Sequence, residues 1–380
     1  MANIVFAHQV PDAAAEFLSV LDRADEPAAV VLTGDGWRYV ELPAADAATR
    51  VRHLARACTR PGPAATWSPG QVSSDDTHWA HNPADWRAEQ ARSGLAAAQA
   101  AAAAAAGPVR HSLGHAGHSQ FLIDEAHPLT ERQLRSKLAL LADLKSGALP
   151  SATAGRDHLT QSAPSCESFL HLDRERAEHL YYLVYSPDPL VEVPRDPWDF
   201  ARSPYERERM TATRDWVRAA LPHPGASVVE AGACEGALSE LLCEAGLNVT
   251  ATEPADDFRE RAAHRLAGRA TVTADTVEDL ARTTRTPADA YLLAEVLYYL
   301  DDPAVTESLA TDLLLVTAPR ELLETKLRPY FEGPGAACWR IESEHELLGA
   351  RLDFLVDGLM YQRKRGSVGL VCRRRARAAR

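Results

Sequence analysis

The sequence predicts an α/β protein in two parts. A mostly parallel sheet with an antiparallel edge strand is expected over residues 166–380, preceded by a smaller α/β accessory domain over 1–150. Three observations lead there. From Ser227 onward, apolar runs of strand length alternate with helix-length segments, and such alternation builds a parallel sheet with helices on both faces. Residues Ser227–Leu238 read as a strand, a small-residue loop and the start of a helix. Residues 147–165 are rich in Ser, Thr, Ala and Pro and read as a linker, which puts the domain boundary at 151–165.

Taken in order, residues 3–7 and 28–33 are short apolar strands, the second ending in the turn Thr33-Gly34-Asp35-Gly36. Residues 60–85 read as loop. Residues 86–106 form a helix whose alanine run closes at Gly107-Pro108, because alanine is the best helix former and Gly then Pro a usual stop. That helix is given packing and no chemistry. Helices follow at 130–146 and 171–185. Then come strand 227–230, helix 236–245, strand 248–253, helix 255–267, strand 270–273, helix 276–283, strand 289–294, helix 302–309 and strand 312–317. Residues 337–342 and 366–372 read as a closing antiparallel edge pair.

The 380 residues carry 46% apolar and 25% charged side chains, ordinary for a globular protein. A net charge of −12 argues against a nucleic-acid binder. The basic segment Arg373–Arg377 reads as a solvated, frayed end. Six scattered cysteines without a Cys-x-x-Cys fit reduced thiols in a cytoplasmic protein. Residues 1–6 lack a basic region followed by an apolar run, so no signal peptide is expected. No stretch has the roughly 18 apolar residues of a membrane helix.

The strand–loop–helix at Ser227–Leu238 brings backbone N–H groups close to a ligand, as nucleotide-binding loops do. Its charge sets it apart. Glu230 stands two residues before Gly232, and Glu235 lies inside the loop. These acids would repel a pyrophosphate and welcome a cationic amine. S-adenosylmethionine (SAM) carries an ammonium and a sulfonium and no phosphate. Strand 248–253 ends at Glu253, 21 residues after Gly232, where an acid commonly accepts hydrogen bonds from ribose hydroxyls.

Three segments carry a family resemblance: Asp196–Glu206, Glu230–Gly236, and Ala294-Glu295-Val296-Leu297-Tyr298-Tyr299-Leu300. In order and spacing they resemble class I SAM-dependent methyltransferases, and more narrowly the nodulation protein S group, over residues 190–375. The resemblance implies a Rossmann-like sheet and SAM as cofactor. It implies that Glu230 holds the methionine ammonium, that Gly232, Ala233 and Gly236 allow close backbone approach, and that Glu253 grips the ribose. It puts Asp275 on the adenine amino group, Ala294 in the wall, and Asp196–Tyr205 over the cofactor as a lid with Tyr205 and Arg209 near the carboxylate. Asp275 also reads as a helix N-cap, and Trp198 and Phe200 as core. Cys234 replaces the usual middle glycine of the loop and fits there only with negative φ.

Methyl transfer from a sulfonium needs alignment more than a leaving-group acid. An amine acceptor must be neutral, and a hydroxyl needs a base. Glu295, Tyr298 and Tyr299 are the catalytic candidates; Tyr299, the second of two adjacent tyrosines, is expected to pack inward. Free tyrosine, with a pKa near 10, is a poor base, which tilts the expectation toward an amine. The resemblance points the same way, to an amino sugar in small-molecule biosynthesis. N- against O-methylation, substrate identity and homo-oligomerisation stay open.

The N-terminal half faintly resembles PIG-L/LmbE-type deacetylases. The likeness rests on Ala7-His8-Gln9-Val10-Pro11-Asp12, residues 30–36, His81–Ala88 and Lys137–Leu141. That family binds zinc through His-Pro-Asp-Asp, which is disrupted here, so a relic or unrelated accessory domain without metal is expected. His111, His115 and His118 have a spacing that can clip zinc, but no acid or cysteine lies near them in sequence. Two further functions stay open: a bifunctional zinc deacetylase–methyltransferase and a non-catalytic SAM-binding scaffold.

Overall fold

The computed structural model describes residues 2–23, 25–33, 37–59, 73–114, 120–149, 164–186, 188–282 and 287–376. His115, His118, Gly34–Gly36 and most of the expected linker lie outside them. The chain forms two compact units, Met1–Pro197 with Gly358–Tyr361, and Trp198–Asp357 with Gln362–Arg380.

The first unit holds strands β1 (Asn3–Ala7), β2 (Ala28–Leu32), β3 (Arg38–Leu42), β4 (Thr77–Ala80), β5 (Val109–Ser112), β6 (Glu125–Pro128) and β7 (Cys166–Leu172). They form one sheet in the order β3-β2-β1-β4-β5-β7-β6. β1, β2, β4 and β5 are parallel, and β3, β7 and β6 pair antiparallel. β1 shows why both faces are covered. Val5 and Ala7 pack with Val51, Leu54 and Leu140 on one side, and Ile4 and Phe6 pack with Ala97, Ala100 and Ala101 on the other. A strand buried on both faces has no polar side. The alanine run, in helix Ala88–Ala103, is a packing face.

The boundary expected at 151–165 differs from the structure. Residues 166–172, expected to start the second domain, complete the first sheet as β7, and the first unit runs on to Pro197. The helix expected at 171–185 begins after that strand, at Arg174, with Asp173 accepting from the Arg176 N–H as its N-cap. Residues 60–85, expected as loop, contain β4.

The second unit holds β8 (Ser227–Ala231), β9 (Asn248–Thr252), β10 (Thr271–Thr273), β11 (Ala290–Ala294), β12 (Leu313–Ala318), β13 (Trp339–Leu348) and β14 (Ser367–Arg374). Their order is β10-β9-β8-β11-β12-β14-β13. The first five are parallel, and β14 runs antiparallel between β12 and β13. The sheet is Rossmann-like, as expected. Val229 and Ala231 face one core and Val228 the other. Asp289 fixes the start of β8 by accepting from the Ser227 N–H and hydroxyl, both at 2.7 Å. The basic end departs from the frayed reading. β14 runs to Arg374, whose guanidinium lies 4.4 Å over the Trp339 ring and donates to the carbonyls of Thr311, Glu307 and Leu309. The chain leaves β8 for β9 on one side and returns to β11 on the other, so a topological switch point lies between β8 and β11. Open α/β sheets place ligands there, beyond the carboxyl ends of the strands.

Candidate active site

A cavity of about 530 Å³ opens at that switch point, within the size range of small-molecule sites. Its floor is Glu230, Gly232, Ala233 and Cys234 at the end of β8, Glu253 and Ala255 after β9, and Ala294, Glu295 and Val296 at the end of β11. Its walls are Trp198, Phe200, Tyr205, Glu206, Arg209 and Met210 before β8, Tyr298 and Tyr299, and the segment 362–366 leading into β14.

The loop after β8 is built from left-handed backbone. Gly232 has φ +70°, and a Cβ there would meet Val296 Cγ2 at 2.6 Å, so only glycine fits. Cys234 has φ +49°, not the negative value expected. Its N–H donates to Glu253 Oε2 at 2.9 Å. The Gly232 and Ala233 N–H groups both donate to the Thr252 carbonyl, at 2.8 and 3.0 Å. The other Glu253 oxygen accepts from the Ala255 N–H at 3.0 Å. Burial pushes the Cys234 thiol up to about 12, so it is neutral and no nucleophile.

Glu230 is 3% exposed. Burial raises its carboxyl to about 7, against a hydrogen bond from Ser239 Oγ and the more distant charge of Arg209. Arg209 is tied by Nε to Glu206 at 2.8 Å, and Lys364 donates to the other Glu206 oxygen at 2.9 Å. Among the described residues, no cation is in contact with Glu230. A ligand ammonium at this end would supply one.

Glu295 follows β11 with φ +59°. One of its oxygens accepts from Ser367 Oγ at 2.8 Å and from Thr317 Oγ1 at 3.3 Å, and the other from the Tyr298 hydroxyl at 3.0 Å. Burial, then the charge of Glu295, drives the Tyr298 hydroxyl far above the usual tyrosine range. Tyr298 is therefore a hydrogen-bonding group and not a base.

Of the residues singled out from sequence, the cavity gathers Glu230, Gly232, Ala233, Glu253, Ala294, Tyr205, Glu295, Tyr298 and Tyr299. Three lie outside its lining, and the first, Glu235, is paired with Arg261 at 2.9 Å. Gly236 (φ +76°) starts helix Ala237–Glu244, with helix Asp256–Leu266 packed on it through Ala262 and Leu266. Asp275 accepts from Thr273 Oγ1 at 2.7 Å, and it is not the N-cap either, since Thr276 caps that helix with Asp279. Tyr299 does not pack inward: it is 75% exposed, with its ring centroid 4.6 Å from that of Tyr298. Trp198 and Phe200 line the cavity rather than sitting in the core alone. The basic segment 362–366 was missed, because nothing in its sequence separates a cavity wall from a solvated turn.

In the first unit, Asp12, Glu16 and His81 bring their ligand-type atoms within 4.8 Å of one another. Arg87 already fills this cluster. Its guanidinium donates to Glu16 and Asp85, both at 2.6 Å, and to Asp12 at 3.4 Å. His81 Nδ1 donates to Glu16 at 3.0 Å, and its Nε2 accepts from the His8 N–H at 3.3 Å. His8 thus contributes backbone to this cluster. A guanidinium among the carboxylates does not fit a metal cage. His111 is buried, donates from Nδ1 to the His81 carbonyl, and is pushed by burial down to about 4.

No curated protein matches the chain. Residues 191–323 match the family described as nodulation protein S (NodS). Among solved structures, the chain is similar to the N-methyltransferase NodS from Bradyrhizobium japonicum WM9 in complex with S-adenosyl-L-homocysteine (SAH). Identity is 20% over 48% of this chain and 94% of that one, with a TM-score of 0.37. It is also similar to magnesium protoporphyrin IX methyltransferase from Synechocystis PCC 6803 with bound SAM, at 18% identity over 48% and 86%, with a TM-score of 0.36. The family match supports a SAM-dependent methyltransferase in the second unit.

Proposed function

We propose that the second unit is a SAM-dependent methyltransferase acting on an amine of a small, sugar-containing molecule. The observation that carries this is the buried carboxyl of Glu230, without a contacting cation, beside a loop strapped to Glu253. Glu230 takes the cofactor's ammonium, the Gly232–Ala233 backbone lies against it, and Glu253 accepts from ribose hydroxyls. Tyr205 and Arg209 lie on the carboxylate side. SAM, when bound, supplies a methyl group on a sulfonium that departs as a neutral thioether.

The remaining work falls to the chain's own groups. Tyr298 keeps its proton and donates a hydrogen bond to Glu295, and both residues line the cavity. Glu295 and Tyr298 together then present acceptor oxygens, which suit the N–H donors of an amine. A hydroxyl acceptor would instead need a base, and Tyr298 is held protonated. The sugar-containing acceptor is what the resemblance to the nodulation protein S group implies.

Glu253→Ala should weaken SAH binding by roughly 1–3 kcal/mol through loss of a buried acceptor; unchanged affinity by calorimetry would remove Glu253 from the site. Tyr298→Phe should lower turnover on an amino-sugar panel while leaving SAH affinity nearly unaltered. Wild-type turnover in that variant would show that the hydroxyl takes no part.

The pH dependence has a definite sign. Only the Glu230 carboxylate pairs with an ammonium, and its carboxyl titrates at about 7. SAH affinity should therefore climb by up to about tenfold per pH unit below 7 and level off above it. Glu230→Gln should flatten that curve.

The first unit is read as accessory and metal-free. Purified protein should hold zinc far below one equivalent, and His81→Ala should lower the melting temperature without abolishing methyl transfer. Stoichiometric zinc in the wild type, lost with His81→Ala, would instead favour a bifunctional enzyme.

A further inference from the structure

We infer that the methyl acceptor carries a phosphate ester, held by Arg363 and Arg365 at the wall of the cavity. The inference rests on the methyltransferase reading and names the chemical class of its acceptor. In a chain of net charge −12, Arg363-Lys364-Arg365 puts three consecutive cations on one cavity wall. Lys364 is spent inside the fold, donating to Glu206 at 2.9 Å and lying 5.8 Å from the Tyr205 ring centre.

Arg363 and Arg365 are exposed and, among the described residues, have no carboxylate partner. The acids of the same cavity are committed elsewhere. Glu206 holds Arg209 and Lys364, Glu295 holds Tyr298 and Ser367, Glu253 holds two backbone N–H groups, and Glu230 accepts from Ser239. Two guanidinium forks two residues apart, on the wall of a cavity that also holds Glu295 and Tyr298, form a bidentate receptor for a phosphoryl group. The acceptor would then be gripped at two points, its amine at Glu295 and Tyr298 and its phosphate at the arginine pair.

Inorganic pyrophosphate is the probe. It is titrated by calorimetry, at low salt, into the full chain with and without saturating SAH, for the wild type and for R363Q/R365Q. Saturable binding to the wild type, at least tenfold weaker in the double variant, is the expected result, with SAH affinity within twofold between the two proteins. The equal SAH affinity also shows that the variant is folded. Equal pyrophosphate binding in both proteins, or none in the wild type, would overturn the inference. So would a loss of SAH affinity in the double variant, which would assign the arginines to the cofactor's carboxylate. Failure of SAH to bind the wild type sinks the methyltransferase reading, whereas the pyrophosphate titration without SAH still reads the arginine pair.

Discussion

The carboxylate of Glu253 holds the loop on which the cavity depends. Gly232, Cys234 and Gly236 all stand in the left-handed region. A non-glycine residue there costs about 1–2 kcal/mol, and Cys234 is the one that bears it. A hydrogen bond from a backbone N–H to a charged oxygen contributes about 1.5–3 kcal/mol, and the Cys234 N–H makes such a bond to Glu253. The two are comparable, so the loop keeps its shape without a glycine at that position. The same loop abuts the β11 loop at Gly232 and Val296, and helix Asp256–Leu266 at Gly236. Shifting Glu253 would therefore disturb three strand ends at once.

Glu230 carries the opposite sign of argument. Its neutral form is what burial favours, since its carboxyl titrates at about 7 against an ordinary 4.5. Between those values the unfolded chain has lost the proton and the folded one keeps it. Ligand-free stability from this group therefore falls as pH rises from 4.5 to 7. A bound ammonium reverses that by favouring the carboxylate. The site is thus electrostatically incomplete at neutral pH until a cation arrives. Under the proposed function, that favours SAM over a dinucleotide, whose pyrophosphate would face Glu230 and Glu253 together.

Much of the second unit was legible because its signals are local. Strands such as Ala290–Ala294 and Leu313–Ala318 are buried on both faces and read as apolar runs. Glu230 and Glu253 stand at fixed offsets from one glycine. The first unit was harder. Arg38–Leu42 and Glu125–Pro128 are short and mixed in polarity. Cys166–Leu172 pairs with a strand more than fifty residues earlier, across a segment that reads as linker. Non-local antiparallel pairing leaves no periodic trace where a strand is this short. The outward turn of Tyr299 and the place of 362–366 in the cavity wall are likewise set by tertiary packing, which a local pattern does not carry.

The buried acids of the first unit are organised around one guanidinium. Asp12, Glu16 and Asp85 surround Arg87, all of them buried. Burial alone would lower the Arg87 pKa, but the hydrogen bond it donates to Asp85 and the charges of Glu16, Asp85 and Asp12 outweigh it and hold the guanidinium firmly protonated. A metal ion entering this cluster would have to expel that guanidinium. Removing one partner of a buried ion pair costs about 3–5 kcal/mol, and here one cation answers three acids. The carboxylates that resemble a metal site are therefore the groups that keep Arg87 inside, and Arg87 in turn makes their burial tolerable. Substituting Arg87 alone would leave three buried acids without their guanidinium.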